Sequence, residues 1–218
     1  MKKPWETLAD DLRAAKTPRD YSNAYRRLYK VADSHAVEYM EEAGVRVACG
    51  DCSFCCYQFV RVLAHEVFAI ADYIQTTMTP ELRAKVVERL RSYYAETSHL
   101  TEEEKDRSET PRACPLLVDG RCSVYPVRPS NCRHFHSLDS SFCEGCIKDP
   151  NGWPHTPMHE GLKHVWSDMI HAADYAYFVT GHDQTTYDLA PSCLAALANP
   201  AFRRRWTEKK KALLTYDS

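Results

Sequence analysis

Apolar side chains recur at helical spacing along most of the chain, and the clearest case lies between residues 17 and 42. Steps of four and three residues alternate along one stripe, which comprises Tyr21, Tyr25, Leu28, Ala32, His35 and Tyr39. Such spacing puts these side chains on one face of an α-helix. A threonine N-cap followed by proline at the first helical position, here Thr17 and Pro18, is a typical helix start. We therefore predict a helix from this pair to about Glu42, with Gly44 just past its end.

The same signals recur in four further segments. The first predicted helix covers residues 63–78, and the second begins at Thr79-Pro80. The third runs from Thr156-Pro157 to Gly181, and the last begins at Asn199-Pro200. Residues 101–112 are almost all charged or polar, so we expect a solvated connector there. The chain is therefore predicted to be mainly α-helical.

Residues 114–153 are the exception, because they combine cysteines and turn residues without a helical period. Strand-like runs at 115–118 and 121–125 flank Asp119-Gly120, so we expect a short β-hairpin with a two-residue turn. Such a segment buries little apolar area, and a bound metal commonly takes the place of a core. The expected fold is a helical protein with an irregular Cys-rich metal-binding segment that contains this hairpin.

The composition is that of an ordinary globular protein, with 218 residues, 44% hydrophobic side chains and 27% charged side chains. We expect a single domain over residues 1–218. Within it, a Cys-rich metal-binding core at 48–148 is expected to be flanked by N-terminal helices (5–47) and C-terminal helices (156–213).

Net charge and hydropathy narrow the choice of partner. The net charge of −2 gives no long-range field that would favour nucleic acid or an acidic membrane. No apolar run approaches the length of a membrane span. The charged N-terminus is not followed by the apolar stretch of a signal peptide. We expect a cytoplasmic protein that does not bind a membrane. Its partner is expected to be a protein or a small molecule that the sequence does not identify.

Ten cysteines in a reducing compartment require an explanation. Disulfides are rare there, so clustered cysteines more often hold metal. The candidate metal ligands are Cys49, Cys52, Cys55, Cys56, Cys114, Cys122, Cys132, Cys143 and Cys146. Cys193 stands alone in an apolar stretch and is expected to be a small core residue.

The run of Cys49, Cys52 and Cys55 has the spacing with which bacterial ferredoxins hold three corners of a four-iron cluster. A fourth ligand must then come from elsewhere in the chain. The run departs from the ferredoxin pattern because Cys56 follows at once. Adjacent side chains usually diverge, so either the Cys55-Cys56 pair serves two metals or only one of the two thiols is a ligand.

The hairpin adds a similar constraint. If Asp119-Gly120 is a tight turn, Leu117 faces Cys122 and side chains alternate between the two faces. Cys114 and Cys122 would then point to opposite faces, unless the strand begins after Cys114. The cysteines therefore do not all share one site easily.

Four cysteine motifs occur in a specific order. They are Cys-x-x-Cys-x-x-Cys-Cys at 49–56, Cys-Pro-Leu-Leu at 114–117, Cys-Ser-Val-Tyr at 122–125 and Arg-Pro-Ser-Asn-Cys-Arg at 128–133. Over residues 48–136 this order resembles the YkgJ-type cysteine-cluster family (CxxCxxCC) of zinc- or iron-chelating proteins. The resemblance implies a bound metal, commonly an iron–sulfur cluster. Cys143-x-x-Cys146 lies outside that pattern.

A weaker similarity links the cysteine block to flagellin lysine N-methylases. This chain is short for such an enzyme and shows no glycine-rich loop typical of an adenosylmethionine site. No nucleophile–base pair, phosphate loop or dinucleotide fingerprint indicates a reaction, so no catalytic residue is assigned.

Charged and imidazole side chains near Cys132 are candidates for supporting roles. Arg128 and Arg133 are candidate cofactor-binding residues, because guanidinium groups neutralise thiolate charge and donate hydrogen bonds to sulfur. A surface salt bridge is the alternative for each arginine. His134 and His136 could replace a cysteine ligand, or one of them is simply packed or solvent-facing.

Three functions follow from these patterns. The first is an iron–sulfur protein, with a 4Fe-4S cluster in a redox, electron-transfer or cluster-dependent catalytic role. The second is a structural zinc-binding interaction module without turnover. The third is a protein-modifying enzyme that resembles the flagellin lysine N-methylases.

Overall fold

The computed structural model describes residues 3–48, 52–106, 111–149 and 157–216 of the chain. Its helices are α1 (Pro4–Ala14), α2 (Pro18–Glu42), α3 (Ala64–Thr76), α4 (Pro80–Thr97), α5 (Glu102–Asp106), α6 (Ser130–His134), α7 (Ser140–Lys148), α8 (Glu160–Thr180), α9 (Leu189–Ala198) and α10 (Ala201–Thr207). Its strands are β1 (Arg61–Leu63), β2 (Leu117–Val118), β3 (Arg121–Cys122) and β4 (Thr186–Asp188). Helical residues, with the 3₁₀ turns included, make up 65% of the described residues, which confirms the mainly α prediction. Among these described helices, none is long and apolar enough to cross a membrane.

Helix caps form where the sequence predicts them. Thr17 Oγ1 accepts a hydrogen bond from the amide of Asp20 at 3.3 Å, and the Asp20 carboxylate accepts one from the amide of Thr17 at 2.8 Å. This reciprocal pair satisfies two amides at the start of α2. Thr79 Oγ1 caps α4 by accepting from the amide of Leu82 at 3.3 Å. Gly181 ends α8 in the left-handed conformation, at φ 76°.

Three local predictions differ from the structure. Helix α8 begins at Glu160 rather than at Pro157, because the carbonyl of Pro157 accepts a hydrogen bond from the amide of Leu138 and belongs to the preceding loop. Residues 114–153 were predicted without helices, but they contain the short helices α6 and α7. Part of the predicted connector at 101–112 also forms a short helix, α5.

The predicted hairpin is confirmed. Strands β2 and β3 pair antiparallel, with Leu117 opposite Cys122. The two turn residues Asp119 and Gly120 have φ values of 50° and 76°. Two successive positive φ values define the turn type whose twist matches a hairpin, and Asp-Gly is a preferred sequence for it.

Two groups of helices form the core. Helix α8 packs against α1 and α2, while α9 packs against α3 and α4. The largest buried side chains include Tyr25 of α2 and Trp166 of α8. Cys193 of α9 is fully buried among them, so its prediction as a core residue is confirmed.

The Cys-rich segments lie against this core at defined places. Strands β1 and β4 pair antiparallel, with Val62 opposite Tyr187, and so fix the chain just after the first cysteines. Helix α6 packs against α8 and β1. Two 3₁₀ turns lie in the Cys-rich segments. Phe54–Tyr57 precedes β1, and Tyr125–Val127 lies between the hairpin and α6.

Candidate metal centre

Cys55 and Cys56 lie in the 3₁₀ turn Phe54–Tyr57, between α2 and β1. The amide of Cys56 donates a hydrogen bond to the carbonyl of Ser53 at 2.9 Å, which closes the turn. The carbonyl of Cys56 accepts a hydrogen bond from the amide of Cys114 at 2.6 Å. The backbone itself therefore holds the start of the hairpin segment beside the vicinal cysteines.

The hairpin segment brings Cys122 back beside Cys114. The amide of Leu117 donates to the carbonyl of Cys114 at 2.9 Å, so the chain turns before β2 begins. The amide and the hydroxyl of Ser123 both donate to the carbonyl of Leu116 at 2.8 Å. Because the strand begins after Cys114, alternation along it does not separate the two thiols, and they interact electrostatically.

Helix α6 supplies Cys132, whose thiol interacts electrostatically with other thiols, those of Cys114, Cys122 and Cys55. We call the resulting set the thiol cluster, which comprises Cys55, Cys56, Cys114, Cys122 and Cys132. The described cysteines form no disulfide with one another. The cluster thus gathers thiols from the 3₁₀ turn, the hairpin segment and α6.

Burial controls protonation in the thiol cluster. It raises the pKa of Cys132 well above the ordinary value, and it raises the pKa of Cys114 to about 12. Burial also raises the pKa of Cys122. Cys55 differs, because a hydrogen bond from the thiol of Cys56 lowers the pKa of Cys55 and raises that of Cys56. A metal that binds here must displace protons from several thiols.

Arg128 brings positive charge to the thiol cluster. Its guanidinium lies 4.0 Å from the ring centroid of Tyr125 and donates a hydrogen bond to the Tyr125 carbonyl at 3.3 Å. After the hydrogen bond from Cys56, its charge further lowers the pKa of Cys55. This position suits a residue that offsets thiolate charge, and that role stays a prediction.

Arg133 is buried and braces the loop between the hairpin and α6. Its Nε donates to the carbonyl of Arg128 at 3.0 Å and its Nη2 to the carbonyl of Pro126 at 2.8 Å. Its Nη1 donates to the carboxylate of Asp33 in α2, and the guanidinium lies 5.1 Å from the ring centroid of Tyr29. All three nitrogens thus donate to oxygen atoms. The predicted contact between Arg133 and a metal centre stays a prediction.

Glu66 of α3 supports the same region, although the sequence pattern does not single it out. Its buried carboxylate accepts hydrogen bonds from the amide of Ser130 at 2.7 Å and from the amide of Leu63 at 2.9 Å. Burial raises the pKa of Glu66. The carboxylate joins the starts of α3 and α6. An acidic residue in the first turn of an otherwise apolar helix is the signal that could have indicated it.

Helix α7 carries two further candidate ligands, Cys143 and Cys146. They are three residues apart, so both thiols lie on one face of the helix, and both are buried. Asp139 caps the helix, because its carboxylate accepts from the amide of Ser141 at 2.8 Å and from the amide of Phe142 at 3.3 Å.

Helix α7 lies beside the first cysteine motif. Helix α7 packs against the 3₁₀ turn that contains Cys55. The thiol of Cys143 interacts electrostatically with those of Cys52 and Cys55. Cys49 lies outside the described residues, so a ferredoxin-like set of Cys49, Cys52 and Cys55 stays a prediction.

The two histidines after Cys132 have different surroundings. His136 stacks on Trp166, with 6.0 Å between ring centroids, and its Nδ1 lies 3.2 Å from the carbonyl of His134. The Nε2 of His134 is buried and has no hydrogen-bond partner within the described part of the chain. Neither contact brings an imidazole to the thiol cluster, so replacement of a cysteine ligand by histidine stays a prediction.

The donor chemistry of the region fits a thiophilic metal, because its main feature is a set of half-buried thiols from separate segments. In residues 3–48, 52–106, 111–149 and 157–216, no three Cys, His, Asp or Glu side chains are already arranged to hold an ion. A metal bound here would therefore need the thiols to turn toward a common centre.

Comparison with protein families assigns this region. Residues 48–154 match the family model "CxxCxxCC: Putative zinc- or iron-chelating domain". This part of the chain is similar to the CxxCxxCC domain. Its bounds include Cys143 and Cys146, which extends the matched region beyond residues 48–136, where the sequence motifs end. The resemblance predicted from the motifs is therefore confirmed, and metal chelation is supported at the level of zinc or iron. No curated protein and no solved structure matches the chain.

Proposed function

We propose that the thiol cluster of this CxxCxxCC domain holds an iron–sulfur centre of the four-iron type. Such a centre would give the protein a redox, electron-transfer or cluster-dependent catalytic role. The observation that carries the proposal is the meeting of thiols from the 3₁₀ turn, the hairpin segment and α6. A four-iron cluster takes four thiolates, and five neighbouring thiols are enough to supply them.

The chain's own residues would tune such a centre. When bound, an iron–sulfur centre supplies one-electron chemistry at a potential set by charge, hydrogen bonds and exposure. The positive charge of Arg128 acts on Cys55 and Cys122, and it would stabilise an added electron. Desolvation of the thiols of Cys114 and Cys132 would keep water away from the part of the centre that these two residues hold.

Access from the surface supports exchange with a partner. Tyr125, which stacks on Arg128, is 59% exposed. The positive charge beside the thiol cluster therefore lies next to an exposed aromatic ring. A redox partner could approach at this point without any opening of the helical core.

Anaerobic purification tests the proposal. The protein should be brown, should contain iron and acid-labile sulfide in equal amounts, and should lose its visible absorption in air. A colourless protein that retains only zinc would overturn the iron assignment.

A structural zinc site is the second candidate, and the family description that names zinc beside iron favours it. Zinc also takes four thiolates in closed structural sites, and it would order the hairpin segment without any redox chemistry. Zinc has a filled d shell and gives no visible colour, so the same purification distinguishes the two candidates.

A further inference from the structure

Helix α4 presents three side chains to the hairpin segment, one on each successive turn. They are Lys85, Arg89 and Tyr93, and their spacing of four residues puts them on one face of the helix. Nζ of Lys85 lies 2.8 Å from a carboxylate oxygen of Asp119 in the hairpin turn. Tyr93 lines a small recess together with Cys114. Arg89 lies between these two contacts along the helix, and it belongs to none of the cysteine motifs.

The guanidinium of Arg89 holds two successive carbonyls at the start of the hairpin segment. Its Nε donates a hydrogen bond to the carbonyl of Pro115 at 3.1 Å, and its Nη2 donates one to the carbonyl of Cys114 at 3.4 Å. Arginine suits this task, because its donors are set in a rigid planar fork. The two bonds therefore fix the two peptide groups that follow Cys114.

The backbone of Cys114 is held on its other side as well. Its amide donates to the carbonyl of Cys56 at 2.6 Å, and its carbonyl also accepts from the amide of Leu117 at 2.9 Å. Proline at the next position disfavours the helical conformation at Cys114. Because the main chain sets the direction of the Cα–Cβ bond, these contacts orient the thiol without using its sulfur.

Arg89 also brings positive charge to a desolvated thiol. Burial raises the pKa of Cys114 to about 12, and the charge of Arg89 acts in the opposite direction. A thiol must lose its proton to become a metal ligand, and a nearby cation favours the thiolate. The charge of Arg89 therefore acts in the same sense as the orientation that its hydrogen bonds impose.

We propose that Arg89 is a positioning residue of the metal centre, which orients Cys114 from α4 by holding the two carbonyls of the Cys114-Pro115 pair. This role rests on the proposed function, because it takes Cys114 as a ligand in the thiol cluster, but it holds for iron and for zinc alike. Arg89 acts through the backbone of Cys114. Residues that orient a metal ligand in this way commonly contribute about 10–100-fold to metal affinity.

A double-mutant cycle between Arg89 and Cys114 tests the proposal. The reduced full-length protein is freed of metal under anaerobic conditions, and its affinity for Co²⁺ is measured by visible absorption against a competing chelator. Arg89→Gln should weaken Co²⁺ binding by about 10–100-fold. Cys114→Ser should also weaken it. In the Cys114→Ser background, Arg89→Gln should have no further effect, because no thiol is left at that position to orient.

Two further variants separate positioning from charge and from folding. Lys85→Gln removes a positive charge and an ion pair from the same face of α4, so it is the matched control and should leave the Co²⁺ affinity unchanged. Arg89→Lys keeps the charge but loses the fork, so it should recover only part of the affinity that Arg89→Gln loses. It also guards against loss of the fold in Arg89→Gln.

Failure of this role and failure of the proposed function are distinguishable. Equal losses of affinity on Arg89→Gln in the wild-type and Cys114→Ser backgrounds would overturn positioning through Cys114, and so would an equal loss in Lys85→Gln. Wild-type affinity in Cys114→Ser would remove Cys114 from the ligands and the role of Arg89 with it. A colourless zinc protein on purification would remove the iron assignment alone, because the cycle is measured with Co²⁺.

Discussion

The amide of Cys114 donates a hydrogen bond to the carbonyl of Cys56 across 2.6 Å, and this single contact joins cysteine motifs that lie far apart in the sequence. It places the hairpin segment beside the 3₁₀ turn through backbone atoms alone. Glu66 and Arg133 then hold α6 and its Cys132 against the same region. The scaffold of the thiol cluster is therefore built from backbone and carboxylate contacts, and the metal has only the thiols to organise.

Loss of the Arg133 guanidinium should destabilise the domain. In Arg133→Gln, the carbonyls of Pro126 and Arg128 and the carboxylate of Asp33 lose a buried donor. We expect the free energy of unfolding to fall by about 2–4 kcal/mol, measured by urea denaturation.

Arg128→Gln is the contrasting variant. It removes charge beside the thiols, a carbonyl hydrogen bond, a ring contact and a 3.8 Å ion pair with the partly exposed Asp33, each of them weak, so we expect a stability loss of about 1 kcal/mol or less. The reduction potential of the centre should fall, because the charge no longer stabilises the added electron. Equal stability losses in the two arginine variants would contradict the bracing role of Arg133.

Glu66→Gln should also weaken the domain. The two carboxylate oxygens accept from the amides of Ser130 and Leu63, and in glutamine one of these acceptors becomes a donor. We expect a loss of about 1–3 kcal/mol in the free energy of unfolding. Glu88→Gln, on the exposed face of α4, is the control and should leave urea denaturation unchanged. A Glu66 variant as stable as this control would show that the carboxylate is dispensable.

Two buried histidines should make stability depend on pH. Burial lowers the pKa of His65 to about 3 and that of His182 to about 4. Unfolded histidine titrates near 6.5, so below that pH the unfolded state binds more protons than the folded one, and the free energy of unfolding falls. His65 alone should account for about 1.5–2 kcal/mol between roughly pH 7 and pH 5.

The comparison of His65→Phe with the wild type measures this contribution. Phenylalanine retains a ring that can stack on Tyr177, whose centroid lies 4.2 Å from that of His65, but it takes up no proton. The variant should lose less stability than the wild type between these two pH values. Both the variant and the wild type are measured in the metal-loaded form. The effect of acid on the thiolates is then the same in both and cancels in the comparison. The same pH dependence in both would refute a neutral buried His65.

Local signals explain which elements the sequence predicts. The caps at Thr17 and Thr79 and the Asp119-Gly120 turn act over a few residues, so a sequence pattern contains all that they require. Helices α6 and α7 lack an apolar stripe, and only the cap at Asp139 marks the second of them. The start of α8 was misplaced because a contact with Leu138 keeps Pro157 in a loop.

The candidate site was predictable in composition but not in arrangement. Spacing identifies the cysteines, whereas their arrangement depends on tertiary contacts such as the packing of α7 against the 3₁₀ turn. Arg133 illustrates the same limit. Its place near Cys132 suggests a partner for sulfur, while its three nitrogens donate to oxygen atoms that include a carboxylate of distant α2.

Metal removal should loosen one segment and spare the helical core. The contacts among α1, α2 and α8 and among α3, α4 and α9 contain no candidate ligand, so their helical circular dichroism should persist in the apoprotein. Residues 111–149, which carry five of the candidate ligands, should become sensitive to protease. Limited proteolysis of apo and holo protein with mass mapping of the cuts checks this. Equal protection in both forms would mean that packing alone orders the segment.

The most direct test of the thiol cluster compares Cys132 with Cys193 by metal content. Cys132 belongs to the thiol cluster, whereas Cys193 lies in the core of α9 with no exposed surface. Iron and acid-labile sulfide are measured per chain in anaerobically purified Cys132→Ser and Cys193→Ser. The account predicts that Cys132→Ser loses both and that Cys193→Ser retains the wild-type content. Wild-type metal content in Cys132→Ser, or its loss in a folded Cys193→Ser, would contradict it.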